Sequence, residues 1–206
     1  MAQLVKSFVT LDKDSGSGNS TVTATANSAN TGRSAKSVNF TFKAPDCADV
    51  VRTVNQAGKP EFVNIQSAAS VVKGGVQTLT LTGTSNSSKL TFSLGSGGTL
   101  SLTLPSSYTA NGVTVNNGEA ISGDPGASQE YAFSIAFSDI PANTSISALT
   151  AQVIVTDNAG NTSTCTVTQA AGDASLSVSP ASVDLAWDGT GSATFTVTSN
   201  TNWTVE

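Results

Sequence analysis

The chain of 206 residues contains no histidine. The side chain most often used as a general base or metal ligand near neutral pH is therefore missing. The two cysteines, Cys47 and Cys165, are far apart in sequence, and neither has a cysteine or histidine nearby. That removes thiolate zinc sites and a Cys–His nucleophile. Serines are plentiful, but none sits in a G-x-S-x-G elbow. The residue types predict a protein that is not an enzyme, with no catalytic residue, no cofactor and no metal site. The stretch "DKDSGSGN" (12–19) comes closest to a calcium loop, with Asp12, Asp14 and Asn19 around a glycine-rich turn. It lacks the bidentate carboxylate that closes such loops and reads as an inter-strand turn. A sugar platform would need exposed aromatic rings. Tyr108, in the polar stretch "PSSYTANG", is the best candidate for a glycan contact. Trp187 and Trp203 fall in phase with the apolar residues around them and are expected to face inward.

The elements that would position such residues are strands. Charged residues make up 11% of the chain and apolar residues 38%, and the net charge is -5. Nine lysines and arginines scattered along the chain do not make a nucleic-acid footprint, and the apolar content is too high and too periodic for disorder. "AQLVKSFVTL" after Met1 has no charged n-region, long apolar core or small-residue cleavage site, and no stretch is long and apolar enough to span a bilayer. The expectation is a product made in a cytoplasm without a signal peptide, with reduced, buried or half-buried cysteines and no membrane partner.

Alternation with a period of two recurs in "STVTATA" (20–26), "VNFTFKA" (38–44), "VQTLTLTG" (76–83), "LSLTLP" (100–105) and "YAFSIAF" (131–137). It returns in "AQVIVTD" (151–157), "SLSVSP" (175–180), "VDLAW" (183–187) and "ATFTVTS" (193–199). Turn signals such as "SGSGN", "NNG", "SGDPG" and "DNAGN" separate these runs. Closely spaced strands without a helical period predict an all-β protein of immunoglobulin-like β-sandwiches. "RTVNQAGKPEFVNI" (52–65) and "CTVTQAAGDASLSV" (165–178) are alike, and each reads as a last strand, a linker and the start of the next unit. The predicted units are 1–60, 61–172 and 173–206, the middle one a complete sandwich of seven to nine strands.

The last unit places Leu176, Val178, Val183, Leu185, Trp187, Phe195, Val197 and Trp203 on one alternating face. So short a segment cannot easily close a core of its own, and the alternation in "TSNTNWTVE" (198–206) calls for further strands. "SFVTLDKDSGSGNSTVTATANSANTGRSAKSVNFTF" with "VVRTVNQAGK" resembles the second half of a BACON-type domain, an immunoglobulin-like module of gut Bacteroidetes and their viruses. "ASLSVSPASVDLAWDGTGSATFTVTSNTNWTV" resembles the first half of that domain. The resemblance implies one sandwich split between the two ends of the chain. Its halves would meet through Phe8, Val9 and Leu11 on one side and Trp187, Phe195, Trp203 and Val205 on the other. The pairing would lie within one molecule or between neighbours.

The opening "MAQLVKSFVTLDKDSGSG" also resembles small structural proteins of crAss-like phages that infect Bacteroidetes. What this implies is an auxiliary or decoration protein on the capsid surface of a virion. Its partners would be the major capsid protein, other virion proteins and copies of itself. The alternative implied by relatives of the module is a carbohydrate-binding or adhesive domain.

Overall fold

The computed structural model describes residues 2–206, and the fold is all-β. Five strands lie at the front of the chain: β1 (Leu4–Lys6), β2 (Val9–Leu11), β3 (Ala24–Ala26), β4 (Lys36–Phe42) and β5 (Val50–Gln56). Nine follow: β6 (Val63–Ile65), β7 (Ala68–Val71), β8 (Val76–Ser85), β9 (Leu90–Leu94), β10 (Ser107–Ala110), β11 (Val113–Asn116), β12 (Tyr131–Ile140), β13 (Leu149–Asp157) and β14 (Thr162–Gln169). The last two are β15 (Leu176–Ser179) and β16 (Thr196–Ser199). A single 3-10 turn, Pro125–Ala127, interrupts them.

The nine middle strands form two sheets, ordered β11-β10-β12-β8-β6 and β7-β14-β13-β9. Their inner faces share one core. In β12, Tyr131, Phe133, Ile135 and Phe137 are buried while the residues between them are not. In β13, Ala151, Val153 and Val155 do the same from the facing sheet. Each large side chain so buried contributes on the order of 1.5–3 kcal/mol. The β10–β11 hairpin turns through Asn111 and Gly112, both at positive φ (49° and 77°). Asn-Gly suits such a two-residue turn because both positions need left-handed backbone. At the β13–β14 turn, Asp157 is buried but satisfied. It accepts from the Asn161 backbone N–H (2.8 Å) and the Asn161 side-chain amide (2.7 Å).

The front segment makes two separate small sheets, β1-β2-β3 and β4-β5, and the last segment makes one hairpin, β15-β16. The β4–β5 hairpin pairs Lys36 with Gln56 through to Phe42 with Val50, and β13–β14 pairs Leu149 with Gln169 through to Val155 with Ser163. These are the same positions of one repeated hairpin. The β15–β16 hairpin pairs Leu176, Ser177 and Val178 with Ser199, Thr198 and Val197, as β6 pairs Val63, Asn64 and Ile65 with Ser85, Thr84 and Gly83 of β8. The head thus carries counterparts of the closing strands of the central sandwich, and the tail carries counterparts of its opening ones.

Three expected strands come out differently. In "STVTATA" only Ala24–Ala26 pairs. "LSLTLP" runs without a ladder, although Leu100 is buried and Leu102 and Leu104 lean on the central core. "VDLAW" also forms no ladder. Period two says which face of a segment is apolar, but a strand needs a neighbouring edge to pair with.

Candidate functional site

Two buried asparagines beside the junctions of the central unit make matching clasps, each within its own unit. At the first junction, the Asn30 side-chain amide donates to the carbonyls of Ser34 (2.8 Å) and Ala57 (3.1 Å). At the second, Asn143 donates to the carbonyls of Ser147 (2.8 Å) and Ala170 (3.0 Å). A second pair works alongside. Asn86 donates to the carbonyls of Lys59 and Pro60 and accepts from the Phe62 N–H (3.0 Å). Asn200 donates to the carbonyls of Asp173 (2.8 Å) and Thr144 and accepts from the Ser175 N–H (2.8 Å). These repeated bonds follow from repeated sequence: "ANTGRSA" (29–35) against "ANTSISA" (142–148), and "TSN" at both 84–86 and 198–200.

The first junction carries further polar bonds. Arg33 pairs with Asp124 and donates from Nε to the Asn86 carbonyl (2.6 Å). The bond to Asp124 holds the guanidinium pKa above its ordinary value. Lys59 pairs with Glu130 at 3.0 Å. At the second junction, Lys73 pairs with Asp173 at 2.6 Å. The junctions stand at opposite poles of the central sandwich. Asn86 and Glu130 adjoin the Ser85–Tyr131 end of the β8–β12 ladder, and Lys73 and Thr144 lie beyond its Val76–Ile140 end. Ten strand residues at ~3.3 Å each put these poles about 30 Å apart.

Beyond the junctions lie two apolar faces that are partly exposed among the described residues. In the head, Phe8, Val9, Leu11 and Phe40 form a small core with Val38 and Val54 against it. Around that core Leu4, Phe42, Val50 and Val51 are exposed. A cleft of about 640 Å³ opens between the two head sheets, floored by Leu4, Leu11, Val22, Phe40 and Phe42. Lys6, Lys13 and Lys43 stand on its rim with Asp14. Two rim lysines are held in place: Lys6 donates to the Asn39 carbonyl (2.7 Å) and Lys13 to the Thr21 carbonyl (2.7 Å). In the tail, Leu176, Val178, Leu185, Phe195 and Val205 are exposed, Trp187 is 98% exposed and Trp203 is 49% exposed.

Several expectations are corrected here. Phe8, Val9 and Leu11 do not meet Trp187, Phe195, Trp203 or Val205 within one chain. No hydrogen bond, ion pair or strand pairing joins residues 2–60 to 173–206 among the described residues. Trp187 and Trp203, expected inward, are exposed. Tyr108, expected as an exposed glycan contact, is 3% exposed. It points inward from β10, its ring centroid lies 5.0 Å from that of Phe92, and its hydroxyl accepts from the Leu90 N–H (3.3 Å). Both cysteines are free, but Cys47 is exposed rather than half-buried, and burial pushes the Cys165 thiol pKa up. In the "DKDSGSGN" stretch, Asp12 accepts from the Thr23 N–H (2.7 Å) across the strands.

The strings that encode the asparagine clasps recur plainly in the sequence, but a repeated Asn does not by itself show which carbonyls it will bind. Compared with known proteins, the chain matches no family model and no curated sequence at a significant level. What the site offers chemically is recognition: apolar β-faces, a basic rim, and edges with free backbone N–H and C=O groups.

Proposed function

We propose that this protein is a non-enzymatic structural component of a virion, an auxiliary or decoration protein on the capsid of a crAss-like phage. It would be made in the host cytoplasm and bind the major capsid protein. One observation carries the reading: a nine-strand spacer holds sticky half-sandwiches at two poles about 30 Å apart. Such an architecture spreads binding over extended, weakly charged surfaces, as a protein that coats a lattice requires. The resemblance of both ends to BACON-type modules, and of the opening residues to small phage structural proteins, points the same way. The adhesive or carbohydrate-binding alternative loses Tyr108, which is buried against Phe92, and would have to use the exposed rings of Trp187 and Trp203 instead.

The test is co-sedimentation of the full chain with capsids of a crAss-like phage stripped of their auxiliary proteins. Saturable binding at a fixed ratio to the major capsid protein is the expected result. Failure to bind, together with retention on mucin or plant-polysaccharide columns, would replace this reading with the adhesive one.

A further inference from the structure

We propose that residues 176–205 of one copy complete the open half-sandwich made by residues 4–56 of a second copy. The register is the one residues 63–92 adopt within the central unit. This goes beyond the capsid reading and stands without it.

The central sandwich supplies the template. There β9 lies on the free edge of β13, with Phe92 opposite Val155, Thr91 opposite Thr156 and Leu90 opposite Asp157. The head repeats β13 as β4, and the tail repeats "KLTF" (89–92) as "NWTV" (202–205). Aligned on that string, with one residue fewer between Asn200 and Asn202 than between Asn86 and Lys89, Val205 falls opposite Phe42, Thr204 opposite Lys43 and Trp203 opposite Ala44. Leu90 and Phe92 are fully buried in the central unit, whereas their counterparts Trp203 and Val205 are exposed. The cleft that would receive them is lined by Phe42 and Lys43, and its size is that of a pocket able to hold a large side chain.

A second site points to the same missing strand. β7 pairs in parallel with β14, setting Val71 opposite Gln169, and the Gln169 amide donates to the carbonyls of Pro141 (2.7 Å) and Val72 (3.4 Å). In the head, Gln56 repeats Gln169 and donates to the Ser28 carbonyl (2.7 Å), the counterpart of Pro141. Its amide nitrogen has no counterpart of the Val72 carbonyl to donate to, and its Oε1 is buried without a donor of its own. The tail segment "SPASVD" (179–184) matches "SAASVV" (67–72) and would lay Val183 opposite Gln56. "VDLAW" would then find the edge it lacks.

The occupant is a second copy for two reasons. The tail is pinned by Asn200 and Asp173 to the pole opposite the head, and reaching its own head would break both anchors and cross about 30 Å. Charge also matches. The nine basic residues are not evenly scattered: residues 1–60 hold seven of them against four acids, and residues 173–206 hold four acids and no base. Three of the seven stand on the cleft rim. The contact is heterologous, head to tail, so it builds a row or closes a ring.

The deciding experiment is a cysteine pair in the full chain, Lys43→Cys with Thr204→Cys, on a Cys47→Ser background. All three positions are exposed, so folding is not at stake. Mild oxidation should give a ladder of dimers, trimers and longer species on a denaturing gel. A link confined to monomers would show that the tail folds onto its own head, and no link at all would show that this register does not form. Either result overturns the proposal. Mixing supplies a second readout. Trp203→Asp should weaken association by roughly 30-fold or more, as loss of a central aromatic anchor does, and so should Phe42→Asp. The two variants mixed should still form a one-to-one dimer through the remaining intact head and tail. A mixture that stays monomeric while the parent chain associates would also overturn it.

Discussion

Asn86 and Asn200 make alike bonds at opposite poles of the central sandwich, two of the three to matching positions. Each donates its side-chain amide to two backbone carbonyls and accepts one backbone N–H from the linker that enters the next unit. Their settings differ. Asn86 is fully buried, and its backbone carbonyl also accepts from Arg33 Nε, whereas Asn200 is exposed. The same clasp therefore holds a finished junction at one pole and an open one at the other.

That difference sets the first expectation. Asn86→Ala takes the side-chain partner from the Phe62 N–H and the Lys59 and Pro60 carbonyls in a part-buried site, and should cost about 1–3 kcal/mol. Asn200→Ala exposes the same kinds of group to water and should cost under about 1 kcal/mol. Urea unfolding followed by tyrosine fluorescence or far-ultraviolet circular dichroism checks both. Equal losses would mean that burial does not distinguish the two junctions.

How much of this was readable in advance follows from what alternation encodes. "YAFSIAF" gave β12 because its apolar positions share one face of a sheet with partners on both sides. Tyr108 was misread because the polar residues around it describe the strand ends and turn, while the inward direction of β10 is fixed by pairing with β12. Trp187 and Trp203 share the phase of the apolar residues around them yet are exposed, because alternation marks an apolar face without supplying the surface that buries it. The likeness of "RTVNQAGKP" to "CTVTQAAGD" is visible in the sequence. Only the matching ladders of β4–β5 and β13–β14 turn that likeness into a register.

The two thiols should behave unlike one another. Cys47 is exposed, while Cys165 is sealed between β13 and β14 neighbours with its thiol pKa raised by burial. Thiolate is the reactive form, so burial suppresses both access and ionisation. In native buffer near pH 8 an aromatic disulfide reagent should titrate one thiol promptly, and the second only after urea is added. Cys47→Ser should abolish the prompt reaction. Prompt reaction of both thiols would mean that the central core opens on the assay timescale.

Stability should fall at alkaline pH through two buried phenols. The Tyr131 hydroxyl donates to the Ser87 carbonyl (2.8 Å), and burial drives its pKa well above the ordinary value; Tyr108 moves the same way for the same reason. In the unfolded chain both ionise near pH ~10. The folded state holds those protons longer, so its advantage is complete below that pH and drains away as pH rises through it toward the folded values. The slope should reach up to ~1.4 kcal/mol per pH unit for each tyrosine. Urea midpoints measured between pH 8 and pH 11 should drop, and Tyr131→Phe should flatten the drop even if it lowers stability at pH 8. A parent chain with constant midpoints over that range would show that the phenols ionise without unfolding.

Salt should act on the speed of self-association more than on its persistence. The head surplus of basic residues and the purely acidic tail attract one another before contact, and that steering is screened beyond about 8 Å at physiological ionic strength. Once docked, the bond consists of strand pairing and apolar side chains such as Trp203, Val205 and Phe42, which salt does not screen. Raising NaCl from about 0.05 M to 0.5 M should therefore slow the association rate several-fold and change the dissociation rate less than about twofold. Stopped-flow tryptophan fluorescence can follow both phases, because Trp203 would pass from water to an apolar cleft. Neutralising the rim with Lys13→Gln and Lys43→Gln should remove most of the salt effect on association and leave dissociation alone. A dissociation rate that climbs steeply with salt would mean that ion pairs, rather than the completed sheets, hold the copies together.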